Sequence, residues 1–223
     1  MKILAVETST EYCSVALWQD GVASEHCELV GQKHSELLLA MLDKVLKAGN
    51  IAISQLDGIA FGKGPGSFTG VRIACGVAQG LALGANVQVV GVGTLHALAH
   101  ASARDKVIAA LDARMGEIYL AAYEKIDGTW REVIAPCLCK IENAPVLPDD
   151  GWFGCGSGFA VNDAALSVQY ARQLSAVDAN AVPLASAIAQ LGAIEFAKGN
   201  AVDAALALPL YLRDKVALKT SER

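Results

Sequence analysis

The residues with the clearest chemical potential are the seven at 64–70, Gly64-Pro65-Gly66-Ser67-Phe68-Thr69-Gly70. Glycines let a backbone pass close to a partner, and the free N–H groups at a helix start favour an anion. Two readings fit this turn. In one, Gly64, Gly66 and Ser67 cradle a phosphate; in the other, they form a tight strand-to-helix connection with Ser67 as N-cap. No Walker lysine follows, which excludes a P-loop. A hydroxyl-rich turn, Glu7-Thr8-Ser9-Thr10, ends the first apolar run, and Ser9 and Thr10 are candidates to share a phosphate with the 64–67 turn. A third glycine-rich stretch, Gly154-Cys155-Gly156-Ser157-Gly158, lacks a convincing strand before it or helix after it.

Metal and nucleophile chemistry find little support. His34 opens an apolar-periodic segment, but the position one helical turn on, where a second ligand belongs, is Leu38. His96 and His100 have that spacing, yet no carboxylate or cysteine lies nearby in sequence, so the pair reads as structural. The six cysteines at 13, 27, 75, 137, 139 and 155 include no CxxC pair, and Cys137-x-Cys139 is too short for a zinc ribbon. They read as reduced thiols. No Ser–His–Asp or Cys–His set can be assembled.

These residues need elements to hold them. Residues 2–8, 12–19 and 22–28 read as strands, with Asp20-Gly21 a hairpin turn of the primed type. Leu37, Leu38, Met41, Leu42, Val45 and Leu46 fall with helical period, and Gly49-Asn50 ends that helix. Residues 56–62 form a buried strand, and a second helix runs from Ser67 to about Leu83 with Gly84 as its C-cap. A strand at 87–92 follows, then a helix over 95–103 with Thr94 as N-cap. Residues 106–111 and 117–123 read as strands around a turn at 112–116. Three antiparallel strands leading into alternating helices and strands predict an α/β mixed sheet of the ribonuclease H-like, actin-like ATPase kind. Beyond Asp127-Gly128 the pattern weakens. Pro136, Pro145 and Pro148 mark 136–150 as loop-rich, and 159–200 reads as mostly helical, best defined at 186–198. The expected organisation is an N-terminal domain over 1–103 and a smaller α/β domain over 104–223, whose C-terminal helix could pack back on the first.

The second helix carries Gly76, Gly80 and Gly84 in one row. Each interior glycine costs about 1 kcal/mol against alanine, so two on one face suggest a close-packed neighbour. That neighbour is either the chain's own sheet or a helix of another subunit, and plain core packing and a two-helix docking surface both remain open.

Composition narrows the classes. The 223 residues carry 18 Lys+Arg against 23 Asp+Glu, a net charge of −5, and 53% are apolar. Disorder is excluded, and nucleic-acid binding by this chain alone is disfavoured. The uncharged run at 73–103 is broken by Gln79, Asn86 and Gln88, so it reads as a helix and a buried strand, with no membrane span. No signal peptide is expected at the N-terminus.

The segments ILAVETST at 3–10, His34-Ser35-Glu36, GPGSFTGVRI at 64–73, ALDARMGEIY at 110–119 and PLYLR at 209–213 resemble the TsaB (YeaZ) family of bacterial tRNA threonylcarbamoyladenosine biosynthesis proteins. The resemblance spans essentially the whole chain. It implies an actin-like (ASKHA) N-terminal domain and a reduced C-terminal one. It also implies a non-catalytic relative of TsaD, the subunit that transfers the threonylcarbamoyl group to adenosine 37 of tRNAs reading ANN codons. The catalytic relative has an HxxxH metal motif on its first helix; here that motif is His34 and Leu38. Glu7 stands where actin-like ATPases usually carry Asp. The resemblance places a TsaD-binding interface on the first two helices: His34, Leu37, Leu38, Met41, Leu42, Val45, Arg72, Ile73, Gly76, Val77 and Gly80. It further implies homodimers through that face without TsaD, an ATPase partner TsaE, tRNA contact only through the complex, no cofactor or metal of its own, and a cytoplasmic place. The alternative is an ATP-dependent enzyme of actin-like fold, a kinase or carbamoyl-type transferase. The older glycoprotease-like label finds no nucleophile or metal set.

Overall fold

The computed structural model describes residues 1–213. Its first sheet has the order β3-β2-β1-β4-β5, built from β1 (Lys2–Glu7), β2 (Tyr12–Gln19), β3 (Val22–Leu29), β4 (Gly58–Gly62) and β5 (Gln88–Val92). β1 runs antiparallel to β2 and parallel to β4. Between these strands lie α1 (His34–Ala48) and α2 (Phe68–Ala85). The β2–β3 hairpin closes on Asp20 (φ 51°) and Gly21 (φ 95°), two left-handed residues in succession, as a primed turn requires. After α3 (Thr94–Ala101) comes a second sheet of order β10-β9-β6-β7-β8. It comprises β6 (Lys106–Arg114), β7 (Glu117–Ile126), β8 (Thr129–Lys140), β9 (Trp152–Cys155) and β10 (Leu174–Asp178), with α4 (Ala165–Gln169) before β10 and α5 (Ala185–Ala197) after it.

Alternation along β1 sends residues to two buried faces. Leu4 and Val6 meet Leu38, Leu42 and Val45 of α1 and Ala74, Ala78 and Ala82 of α2. Ile3 and Ala5 meet α5 through Ala185, Ile188 and Ala189. Alanines recur on both sides of that second face. A side chain at Gly192 would bring its Cβ within 2.7 Å of the Ala60 Cβ, and one at Gly58 would collide with the Phe196 ring. The alanine and glycine of α5 therefore set how closely the helix lies on the sheet. α2 is long and apolar enough to cross a membrane by length and composition. Here, though, Val71, Ala74, Cys75, Ala78 and Ala82 are buried in the first core.

Several expectations are corrected. The loop-rich reading of 136–150 missed β8, a twelve-residue edge strand. Pro136 falls where the register shifts between Leu120↔Cys137 and Ala122↔Ile134, so it interrupts a ladder that is already irregular. The mostly helical reading of 159–200 fails before 185: α4 has five residues and β10 is a strand paired parallel to β9. The 154–158 stretch begins inside a strand, β9, and leads into a single helical turn at 157–159. α2 is capped by Asn86 in the left-handed region (φ 54°), not by Gly84. Gly93 caps α3, and Thr94 is its first residue. β6 continues to Arg114, so the turn is Arg114, Met115 and Gly116, all at positive φ.

Candidate docking face and cleft

A cleft of about 920 Å³ lies between the two halves. It is walled by Ser9 and Thr10, the start of α2, the β6–β7 turn, Ser157 and the tail residues 210–213. Glu7, at the end of β1 just before Ser9, is 2% exposed. Its carboxylate accepts the Ser9 N–H at 2.6 Å and the Thr94 hydroxyl at 3.3 Å. Burial pushes the carboxyl pKa up, and the donors of Ser9 and Thr94 oppose that shift.

The glycine turn is packed against the chain itself. A Cβ at Gly66 would sit 2.6 Å from the Ser9 Cβ, and one at Gly70 would collide with the Thr8 carbonyl. The Ser67 N–H donates to Ser9 O at 2.7 Å, and Ser67 Oγ accepts the Gly70 N–H at 3.3 Å. Two donors that an anion would need are thus satisfied internally. The Ser9 hydroxyl is buried, and Thr10 Oγ1 accepts the Tyr12 N–H at 3.3 Å. Gly64 (φ 101°) lies against the tail, where its Cβ would come within 2.8 Å of Leu210 O. Of the two readings of this turn, the geometry is that of the N-cap.

His34 is 6% exposed, and its Nε2–H donates to Tyr12 O at 3.1 Å, tying the start of α1 to β2. Leu38, one turn on, is in the core. No cluster of metal-ligating side chains occurs among the described residues. All six cysteines are free thiols. Burial raises every one of their pKa values, those of Cys13 and Cys139 to about 12, which keeps them protonated and poorly reactive.

The expected interface set divides. His34, Leu38, Met41, Leu42 and Val45 are buried by the chain's own sheet, so they cannot touch a partner unless α1 lifts away. Leu37, Ile73 and Val77 are half-buried at the edge of that core. Arg72, Gly76, Gly80 and Gly84 face outward on α2, and among the described residues nothing packs within 4 Å of a Cβ built on any of the three glycines. Their neighbour is therefore not the chain's own sheet. Beside this bare stripe lie Leu83, Leu206 and Leu208, at 79%, 66% and 72% exposure. The tail runs along α2, with Gln79 Nε2 donating to Ala207 O at 3.0 Å.

Three residues of this surface, Phe68, Tyr211 and Arg213, escaped the sequence, which singled out Arg72. The Arg72 guanidinium lies 3.7 Å above the Phe68 ring and donates from Nε to the Tyr211 hydroxyl at 2.7 Å. Two residues later Arg213 reaches Ala113 O at 3.1 Å and pairs with Glu117. Contacts spanning some hundred residues leave no periodic trace in a chain. His96 and His100 join an aromatic hub instead of a metal. The Trp130 indole N–H donates to His100 Nδ1 at 3.0 Å, so His100 Nε2 carries the proton given to Gln190 Oε1 at 2.8 Å.

Comparison with known proteins matches this architecture. The sequence profile of the family described as tRNA N6-adenosine threonylcarbamoyltransferase, TsaD, matches residues 20–219. The tRNA threonylcarbamoyladenosine biosynthesis protein TsaB of Escherichia coli is 36% identical across 98% of this chain and 97% of its own length. Its counterpart from Haemophilus influenzae is 37% identical across 98% and 96%. Among solved structures, YeaZ from Pseudomonas aeruginosa superposes with a TM-score of 0.85 at 38% identity, covering 95% of this chain and 99% of that one. A second structure from that organism, described as similar to the peptidase YEAZ, gives 0.87 at 39% over the same shares. The fold is the actin-like one expected, two mixed sheets with covering helices. The chain belongs to the TsaB (YeaZ) family of tRNA threonylcarbamoyladenosine biosynthesis proteins.

Proposed function

We propose that this chain is a non-catalytic docking subunit in the formation of N6-threonylcarbamoyladenosine in tRNA, and that it pairs with a TsaD-type catalytic relative through α2. The bare stripe of Gly76, Gly80 and Gly84 beside exposed Leu83, Leu206 and Leu208 carries the reading. Interior helical glycines forfeit stability, and among the described residues nothing packs on these, whereas a partner helix could approach their backbone closely. Apolar flanks of this size favour burial against another protein. In the absence of the catalytic relative, a second copy occupies the same face. TsaE and tRNA are reached only through the assembly, in the cytoplasm.

Catalysis belongs to the partner. His34 is committed to Tyr12 O, Leu38 is core, and the glycine turn is packed on Ser9, which supports a subunit that holds neither metal nor nucleotide. The alternative, an ATP-dependent transferase or kinase of this fold, requires the cleft to bind ATP. Calorimetric titration of magnesium–ATP into the isolated chain separates the two: no binding heat is expected, and tight binding with turnover contradicts the docking reading. Reconstitution with the catalytic relative is expected to yield modified nucleoside only when this chain is present.

A further inference from the structure

We propose that tail residues 209–213 form a strap that couples the exposed face of α2 to the β6–β7 turn and thereby sets the width of the cleft. At the first-sheet end, the Leu210 N–H donates to Lys63 O at 2.6 Å. The Tyr211 ring packs at a tilt of 37° on Phe68 with centroids 5.3 Å apart, and its hydroxyl accepts the Arg72 Nε–H at 2.7 Å. At the second-sheet end, Arg213 donates to Ala113 O at 3.1 Å and to Met115 Sδ at 3.0 Å, and it pairs with Glu117. Between them Leu212 packs against the second-sheet cluster that contains Leu111 and Tyr119.

The step from Tyr211 to Arg213 is two residues, which in extended chain spans about 7 Å. So short a connection has little slack. If the β6–β7 turn swings away from α2, the strap must let go at one end. The ends differ in access: the Arg213 and Glu117 side chains are 15% and 29% exposed, whereas Tyr211 is 44% exposed and Arg72 lies on the outer face of α2. The Arg72–Tyr211 bond is the reachable end and the Arg213 anchor the shielded one. Whatever draws Arg72 from Tyr211, such as an acidic group docking on α2, is then felt at the β6–β7 turn across the cleft. This coupling lies within the chain and stands or falls independently of the partner's identity.

Amide hydrogen exchange on the full chain tests it, with Tyr211→Phe and Arg72→Gln removing the same hydrogen bond from opposite sides. Tyr211→Phe keeps the ring and deletes one surface hydroxyl, and exchange in β1 and β4 reports whether either variant has lost the fold. One lost hydrogen bond corresponds to about fivefold faster opening. The strap predicts that rise at residues 112–117 as well as at 208–213, in both variants, with β1 and β4 unchanged. A rise confined to 208–213, or a response at 112–117 in one variant only, overturns the proposal.

Discussion

Glu25 caps α5 through Ser186, 161 residues further along the chain. Its Oε1 accepts the Ser186 N–H and its Oε2 the Ser186 hydroxyl, each at 2.9 Å. α5 has no cap of its own, because Leu184 stands at the N-cap position. A carboxylate from β3 supplies the missing acceptor at the positive end of the helix dipole. Ser14 completes the arrangement: its hydroxyl donates to Glu25 at 2.7 Å and accepts the Ala185 N–H at 2.9 Å. Sheet and helix are thereby registered against each other.

Replacing that cap tests it. Glu25→Ala is expected to lower the unfolding free energy by about 1–2 kcal/mol, read from urea denaturation at pH 7. Glu25→Gln, which keeps one acceptor oxygen, loses less. Equal stability of wild type and Glu25→Ala would show that α5 is held by packing alone.

Position decides what a glycine-to-leucine change does in this chain. Gly192→Leu drives a side chain into Ala60 and is expected to cost about 3 kcal/mol or more, as overpacking of a tight core does, with poor yield of folded protein. A Cβ at Gly80 meets nothing within 4 Å among the described residues, and Gly80→Leu, as an exposed helical substitution, is expected to raise the melting temperature slightly. Thermal unfolding of the two variants side by side checks both signs.

Acid sensitivity is expected to concentrate on the aromatic hub. Burial first, and then neighbouring His100, hold the His96 imidazole down to about 4. The His100 value is lowered as well, also by burial. The unfolded chain binds a proton near pH 6.5 and the folded chain does not, so stability is complete above pH 6.5 and falls as pH drops toward 4. His96 alone accounts for roughly 3 kcal/mol across that window. His96→Phe, which can still stack on Tyr123, is expected to flatten the fall; urea midpoints at pH 7.0 and 4.5 give the comparison. An unchanged slope in His96→Phe would place the sensitivity elsewhere.

Glu7 gives the opposite sign. Its pKa is raised by burial, so at neutral pH ionisation in the folded state is costlier than in the unfolded one, and that contribution weakens stability as pH rises above about 4.5. Glu7→Gln keeps an acceptor for the Ser9 N–H and removes the charge. It is expected to melt higher than wild type at pH 7, with the difference shrinking below pH 4.5. A lower melting point at pH 7 would mean that the carboxylate charge itself holds the Ser9 loop.

Much of the first sheet was legible because its signals are local. The 12–19 strand, the Asp20-Gly21 turn and the α1 stripe each repeat within a few residues, and the structure follows them. β8 was hidden by Pro136, which sits at a bulge that tolerates it, and β10 by an alanine content that favours helix until pairing with β9 overrides it. The α2 glycines suggested a close neighbour, and among the described residues the structure leaves open space there. The same α1 stripe that read equally as core or interface is mostly core. Leu38→Asp therefore probes folding and says nothing about docking. The Arg72–Tyr211–Arg213 chain of contacts was illegible, since nothing within PLYLR says which distant groups it reaches.

The docking reading meets its sharpest test in Gly80→Leu, mixed with a TsaD-type catalytic relative and examined by analytical ultracentrifugation, with modified nucleoside measured in parallel. The account predicts a heterodimer and modification with the wild-type chain. With Gly80→Leu it predicts two separate species and no modified nucleoside, the variant remaining folded with an unreduced melting temperature. A heterodimer of unchanged affinity that supports modification with Gly80→Leu would contradict it.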